Sequence, residues 1–571
     1  MPSQLDAELN SVMDRLTAAG GLLETVPGTR HGRTVPMIAQ APPTLPALFA
    51  RFCAEHAGKE FLIDEARRLT FAQAHALARR LAGALVSAHG VAKGDRVGIA
   101  ARNSANYVLA HMAVLMAGAC ATLLNGWWVG EELAEGIDLA GCKLVLADAP
   151  RAERLTGHSH SAEIALFGHD EAGFDALLAG GDEAAALPAL AGGDLATMLF
   201  TSGSTGKCKG ACSDHLGVVQ AALNYAAQTL TLFTVKTGRG DPPVGQPCAL
   251  VNVPLFHVTG EVPLYLQSFV IGRKLVLMPK WDPLEAMRLI EREKVSYFIG
   301  VPLMSIAIAE HPRRHEFDLT SCITFAAGGA PRPVDHVARI HDAMPHAFPI
   351  LGYGLTETNA VGCGNFNENY LAKPGSTGPA SRPLVEIATF ADDGARLAEG
   401  ATGEIGIRSV CNFLGYWNDP EATAAAFTPG GFVRTGDLGY VDADGYLFIV
   451  DRKKDLIIRG GENIASAEVE AALYAHPGVA EASVFGLPCP VYGEVPVAVW
   501  LARPEAEIGE ADLRGFLEER LAAFKVPVRL WQETSALPRL GTEKVDKRAL
   551  KARYAAGWDP AAEMAAAGAR G

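Results

Sequence analysis

Between residues 195 and 354 the chain keeps returning to one pattern, a short apolar run followed in several places by a stretch long enough for a helix. The runs read LATMLF, CALVNVP, KLVLMP, VSYFIGVP, CITFAAGG and FPILGYG. Runs that are apolar throughout, rather than alternating, suit strands covered on both faces, and a parallel neighbour needs a crossover of helical length. The pattern predicts an α/β architecture with largely buried sheets. Upstream, Thr70 to Gln73 forms a capping box ahead of FAQAHALARRLAGALVSAHG, where Leu77, Leu81 and Leu85 recur at helical spacing. GDRVGIAA then reads as a turn and a strand.

At 571 residues the chain is too long for one ordinary core. After residue 390 its character changes: GEIGIRS and GYLFIVDRKKD are separated by Gly/Asp turns, which predicts a smaller, mostly antiparallel unit. DRKKD, at 451–455, reads as a compact charged linker. Beyond it come a helix starting near Ser466 and ended by Pro477, two apolar strands, and a helix with Leu513, Phe516, Leu517 and Leu521 on one face. The expected organisation is therefore an N-terminal domain over 1–450, a hinge over 451–455 and an α+β domain over 456–571. The Ala-rich tail after Trp558 reads as frayed.

Charge excludes some partners. A net charge of -14 and a pI of about 5.6 repel phosphate backbones and anionic bilayers, and no run of Lys or Arg overrides them. The ten cysteines are scattered singly, and the closest pair, Cys208 and Cys212, has neither zinc-site nor redox spacing, so free thiols in a reducing cytoplasm are expected. The first residues, MPSQLDAELNSVMDRL, carry acids and lack the apolar core of a signal peptide. Val108 to Leu124 is apolar, but it contains His111 and Gly118 and is too short and polar for a membrane span. It reads as buried helix running into strand.

One loop asks for an anion. FTSGSTGKCKG runs from Phe200 to Gly210, and it is not the nucleotide P-loop, because Thr201 occupies the place of the first glycine and Cys208 follows the lysine. Ser202, Ser204 and Thr205 offer hydroxyls, Gly203 and Gly206 allow close backbone approach, and Lys207 and Lys209 add charge. Together they suit a polyphosphate.

TSGSTGKCKG resembles the phosphate loop of the AMP-forming adenylating superfamily, which includes acyl-CoA synthetases, luciferases and peptide-synthetase adenylation domains. The resemblance continues in order: PLFHVTG at Pro254, GVP at Gly300, GGAP at Gly328, YGLTE at Tyr353, TGD at Thr435, DRKKD at Asp451, GGEN at Gly460, FKVP at Phe524 and LPRLGTEK ending at Lys544. It implies a large N-terminal domain of α/β subdomains plus a small β subdomain, with a small mobile α+β lid at the C-terminus. It also implies a reaction in two halves. A carboxylate attacks the α-phosphate of ATP to give an acyl-adenylate and pyrophosphate, then the thiol of coenzyme A attacks the acyl carbon.

On that resemblance, Thr201, Ser202, Gly203, Ser204, Thr205, Gly206 and Lys209 hold the β- and γ-phosphates. Thr356 bonds the α-phosphate and Glu357 holds Mg2+. Gly329, Ala330, Gly352 and Tyr353 wall the adenine, while Asp437 accepts from the ribose hydroxyls with help from Arg452. Lys544 bridges the carboxylate and the α-phosphate as charge develops. Lys454 is the hinge whose rotation swings Lys544 out and brings Gly460 and Gly461 to the thiol. His257 lies beside the acyl and pantetheine channels. Two departures stand out: Cys208 replaces the family's proline, and Glu543 stands where a glycine is usual.

The acyl pocket is expected from His257 to Gly260, Val301 to Met304, Gly328 and Gly352 to Gly354, with NAVGCG from Asn359 at its wall. These residues are small and apolar and include no obvious Lys or Arg, which points to a monocarboxylic acid, fatty or aryl. Transfer to a carrier protein or an amine, or a silent nucleotide-binding homologue, are the other readings. Dimers are common in such enzymes, although no stretch here reads as an interface.

Overall fold

The computed structural model describes residues 3–168, 170–202, 208–329, 332–504, 506–540 and 544–560. Each of the six apolar runs becomes a strand, from Leu195–Ser202 to Phe348–Tyr353.

Two large sheets form the body. In one, the strands Leu195–Ser202, Cys120–Leu123, Arg96–Ala100, Leu144–Ala147 and Glu163–Leu166 lie side by side in parallel. Cys208–Asp214 then doubles back antiparallel on Leu195–Ser202, and the short strand Gly415–Tyr416 closes that edge. In the other, Phe348–Tyr353, Thr324–Ala327, Tyr297–Gly300, Cys248–Val251, Lys274–Leu277 and Glu60–Ile63 are parallel, with antiparallel strands at both edges. Right-sized crossover helices connect many of these strands, as the spacing predicts.

The principal core lies among the helices that pack on both sheets. Ala105–Met116 is buried along its whole length, so its apolarity answers to burial within protein. It leads into the strand Cys120–Leu123, as read from sequence. The Thr70–Gln73 capping box is present at the start of Phe71–Ser87. No helix among the described residues is long and apolar enough to cross a membrane. All ten cysteines are free.

A third, antiparallel sheet comprises Gly378–Pro379, Tyr446–Arg452, Val433–Val441, Gly403–Ser409 and Val385–Phe390. The C-terminal unit is a five-stranded sheet in which Gly493–Ala502 of the long hairpin with Val479–Cys489 also pairs with Arg529–Glu533 and, at Gly493, with the small hairpin of Ile457–Arg459 and Glu462–Ile464. Helices Ser466–Tyr474 and Glu510–Glu518 cover one face, with Leu473, Leu513 and Leu517 inside, while Lys547–Ala555 packs through Leu550 against a second cluster.

The charged stretch 451–455 is only partly a linker. Asp451 and Arg452 finish the strand Tyr446–Arg452, in register with Leu438 and Asp437, and the turn begins at residue 453. Asp451 is buried. It accepts from the backbone N–H and hydroxyl of Ser466, and the same hydroxyl receives Lys547 Nζ at 2.9 Å. The first residue of the stretch thus anchors the start of the helix Ser466–Tyr474, and the turn follows it. The tail is held as far as Trp558, whose indole N–H donates to Pro488 O at 2.8 Å; residues 561–571 lie outside the described residues.

Candidate active site

The strand Phe348–Tyr353 ends at a sharp loop that carries Thr356 and Glu357 on a single 3-10 turn, Thr356–Thr358. The loop is tightly clamped. Asn359 and Ala360 both adopt left-handed backbone angles, φ 49° and 66°, which an alanine does not choose unaided. Asn359 donates to Cys411 O at 2.7 Å and accepts from the Ser213 hydroxyl at 3.0 Å, and Tyr225 donates to Ala360 O at 2.6 Å. Gly354 is required here by contact. A β-carbon on it would sit 1.9 Å from Ala360 O, so close backbone approach leaves no room for a side chain.

Glu357 faces the edge of the first sheet. Its Oε1 accepts from the Tyr416 hydroxyl at 2.7 Å. Lys209, on Cys208–Asp214 and in register with Thr201, extends its ammonium over the Tyr416 ring, 5.0 Å from the centroid, and lies 3.6 Å from Asp419 Oδ2. The phosphate-loop strand and the carboxylate turn therefore meet through Tyr416. Sequence reading passed over this tyrosine because GYW carries no charge and no nucleophile. Gly203, Ser204, Thr205, Gly206 and Lys207 lie outside the described residues, as does the side chain of Ser202.

Across the site, Tyr353 donates to Asp437 Oδ2 at 2.7 Å, and Arg452 Nε lies 3.2 Å from Oδ1. TGD, which alone would read as a turn, lies within the strand Val433–Val441; Gly436, at φ 70°, accompanies a shift of register in it. Burial and the adjacent Asp437 push the Tyr353 phenol well above its ordinary value, so it remains a donor at any working pH.

Lys544 reaches the body from the C-terminal unit. A β-carbon on Gly329 would stand in ordinary contact with Lys544, 3.6 Å from Cε and 3.9 Å from Nζ, and it is the backbone, at φ 75°, that favours glycine there. Desolvation draws the Lys544 ammonium down to about 8. The charges of Arg452 and Lys454 act in the same direction and Asp437 opposes them. Three cations around one carboxylate make a locally positive site in a strongly acidic protein. Arg503 from the same unit pairs with Glu310 of the body at 3.0 Å, and the Tyr474 and His336 rings meet at 6.0 Å. Ala330 and Glu543 lie outside the described residues.

His257 caps the single turn Val258–Gly260, and its Nδ1 accepts from Thr259 N at 3.3 Å, which leaves the ring proton on Nε2. Burial, then the charge of Lys544, lowers it to about 3. Thr259 flanks Gly328 and Gly329, and the turn continues into a π-helical segment, Glu261–Leu266. Gly352 leaves open space beside the strand end. Val301 and Met304, also expected at the acyl pocket, are buried. They pack with Phe298 and Ile306 in a separate cluster, and Met304 Sδ receives Asn252 Nδ2 at 3.1 Å.

Gly460 and Gly461, both at positive φ, form the two-residue turn between Ile457–Arg459 and Glu462–Ile464. Ile458, Val491 and Tyr492 are exposed around it. An exposed apolar rim of this kind is suited to docking.

Among the described residues no three His, Cys, Asp or Glu side chains converge as a metal cage. A lone carboxylate completed by substrate phosphates is a usual way of holding Mg2+, and Glu357 Oε2 takes no protein hydrogen bond among those residues. The donor set fits that ion.

The profile of the AMP-binding enzyme family matches residues 49–417, and that of the AMP-binding enzyme C-terminal domain matches 468–544. The chain is 34% identical over 492 residues to the long-chain-fatty-acid–CoA ligase FadD13 of Mycobacterium tuberculosis, covering 86% of this chain and 94% of that one. It is 34% identical over 488 residues to a feruloyl-CoA synthase of Amycolatopsis sp, covering 85% and 94%. Among solved structures, ATP-bound MatB from Rhodopseudomonas palustris superposes with a TM-score of 0.78 at 28% identity, covering 90% of this chain and 99% of that one.

Proposed function

The chain belongs to the AMP-binding enzyme family, and on that premise we propose that it is an ATP-dependent ligase joining a monocarboxylic acid to coenzyme A. The observation that carries this reading is Lys544. A lysine from the C-terminal unit lies against Gly329, in the field of Asp437 and Arg452.

In the first half-reaction a carboxylate oxygen attacks the α-phosphorus and pyrophosphate leaves. Lys544, still protonated below about pH 8, neutralises the approaching carboxylate and the α-phosphate oxygens. Thr356 donates to the same phosphate. Lys209 and the loop from Thr201 hold the departing pyrophosphate, and Asp437 and Arg452 take the ribose. Mg2+ at Glu357 supplies charge neutralisation on the phosphates. In the second half, rotation at Lys454 withdraws Lys544 and presents the Gly460–Gly461 turn, with its exposed apolar rim, to the acyl-adenylate. The thiol sulfur then bonds to the acyl carbon, the acyl C–O bond to the phosphate breaks, AMP leaves and the thiol proton passes to solvent. His257, neutral and with Nε2–H as a donor, serves beside the acyl and pantetheine channels.

The acid has an apolar body. We favour a fatty acid over an aryl acid, on the small, uncharged residues around Thr259, Gly328 and Gly352. The relatives' own substrates span both classes by name. Ten free cysteines fit a reducing cytoplasm.

The test is pyrophosphate release together with acyl-CoA mass over a panel of fatty and aryl acids, with ATP and Mg2+, with and without CoA, beside Lys544→Ala. Acyl-CoA that disappears in the variant supports the ligase. Pyrophosphate without thioester transfers the reading to a carrier or amine acceptor, and nucleotide binding without turnover of any acid overturns it.

A further inference from the structure

We propose that Tyr416 is a positioning residue for Glu357, fixing which carboxylate oxygen is presented to the metal-bearing phosphates and linking that choice to Lys209. The inference rests on the nucleotide site proposed above.

Three independent contacts converge on this side chain. Its hydroxyl donates to Glu357 Oε1 at 2.7 Å. Its ring lies beneath the Lys209 ammonium at 5.0 Å. Its backbone is part of the edge strand that pairs with Cys208–Asp214, where Ala211 and Tyr416 are in register. The surrounding chain leaves it little freedom: Leu414 N donates to Cys212 O at 2.7 Å, Trp417 N to Gly210 O at 2.8 Å, and Tyr416 N to the Thr423 hydroxyl at 2.8 Å. On the other side, Phe413 N donates to Glu357 O at 2.9 Å, so the main chain and side chain of Glu357 are gripped by the same short segment. Asp419, which caps the helix Pro420–Ala425 through Oδ1, turns Oδ2 toward Lys209.

The chemistry follows from the geometry. A carboxylate on a 3-10 turn has a side chain free to rotate, and a donor on one oxygen stops that rotation while leaving the other for a cation. Lys209 cannot swing away from the phosphates without leaving the ring and Asp419, so one residue sets two of the groups that handle phosphate charge.

The test uses the full chain without acid or CoA, so that nothing turns over. ATP binding is measured by calorimetry with Mg2+ and again with EDTA, and Mn2+ binding in the presence of ATP by electron paramagnetic resonance. Wild type is compared with Tyr416→Phe, Tyr416→His, Glu357→Gln and Tyr416→Phe/Glu357→Gln, each checked by thermal unfolding. In Tyr416→Phe the metal concentration for half-saturation is expected to rise about tenfold or more, as for the loss of other partners of a metal ligand. ATP binding in EDTA stays unchanged, and the double variant is no worse than Glu357→Gln alone. Tyr416→His, which keeps a donor, recovers part of the loss and serves if the phenylalanine variant does not fold. Unchanged metal dependence in Tyr416→Phe, or losses that simply add in the double variant, would overturn the proposal. Wild type that binds no nucleotide overturns it together with the site it rests on. Wild type that binds MgATP but activates no acid removes the ligase reading and leaves this test intact.

Discussion

Tyr353 closes one end of the parallel sheet by donating its hydroxyl to Asp437 Oδ2 at 2.7 Å, while Arg452 holds the other carboxylate oxygen at 3.2 Å. Two sheets are joined at the carboxylate proposed to take the ribose, so its orientation is set before nucleotide arrives. Removing a hydrogen bond to a charged acceptor costs about 1.5–3 kcal/mol. Tyr353→Phe is expected to weaken ATP binding by about tenfold or more on that scale, and Asp437→Ala by more again. Calorimetric titration of ATP reads both; an unchanged Kd in Asp437→Ala would remove the ribose role.

Lys544 sets a pH dependence with a definite sign. Its value in this conformation is about 8, below the ordinary lysine range, so the ammonium persists below that pH and is lost as pH rises through it. The inserted arrangement binds fewer protons than free lysine in the window above about 8, so insertion becomes easier there while the charge needed for the first half-reaction disappears. Adenylate formation at low ATP is expected to fall above pH 8, and bound phosphates move the fall upward. Lys544→Arg, which keeps its charge, loses rate overall but flattens this limb. A wild-type profile flat to pH 10 would contradict the assignment.

His257 is expected to stay neutral throughout the working range, because burial and the Lys544 charge hold it near 3. Its ring proton shifts should not move between pH 5 and 8 in an NMR titration. A midpoint near 6.5 would mean that the ring is solvated and that the Lys544 loop lies elsewhere.

Lys454 offers a separation of the two half-reactions. The amides on either side, those of Lys453, Asp455 and Leu456, hold the turn through Gly436 O and Arg452 O. A proline at 454 restricts the rotation proposed there. Lys454→Pro is expected to keep pyrophosphate release within a few-fold of wild type and to cut thioester formation by about 100-fold, read by single-turnover quenched flow. Equal loss in both steps would deny the residue a hinge role.

Much of this molecule could be read before it was seen. The buried strands, the Thr70 cap and the change of character after residue 390 were legible because they depend on local periodicity and on side chains acting near their own backbone. Other assignments were not. Asp451 reads as part of a compact charged linker, yet it ends a strand and is buried against Ser466, and Tyr416, uncharged and passed over in the sequence, meets both Glu357 and Lys209. Each of these outcomes depends on which distant element arrives, and spacing along the chain does not encode that.

The sequence by itself determined the kind of chemistry, an ordered set of hydroxyl, glycine, carboxylate and lysine motifs suited to an adenylating site, because donors, acceptors and charge are properties of residue types. The folded chain settles which oxygen of Glu357 is engaged, which tyrosine engages it, and that Lys544 comes to lie against Gly329, more than 200 positions away in the chain. Orientation at a site comes from sheets and turns converging from separate stretches, and their meeting is fixed by packing and hydrogen-bond satisfaction over the whole fold.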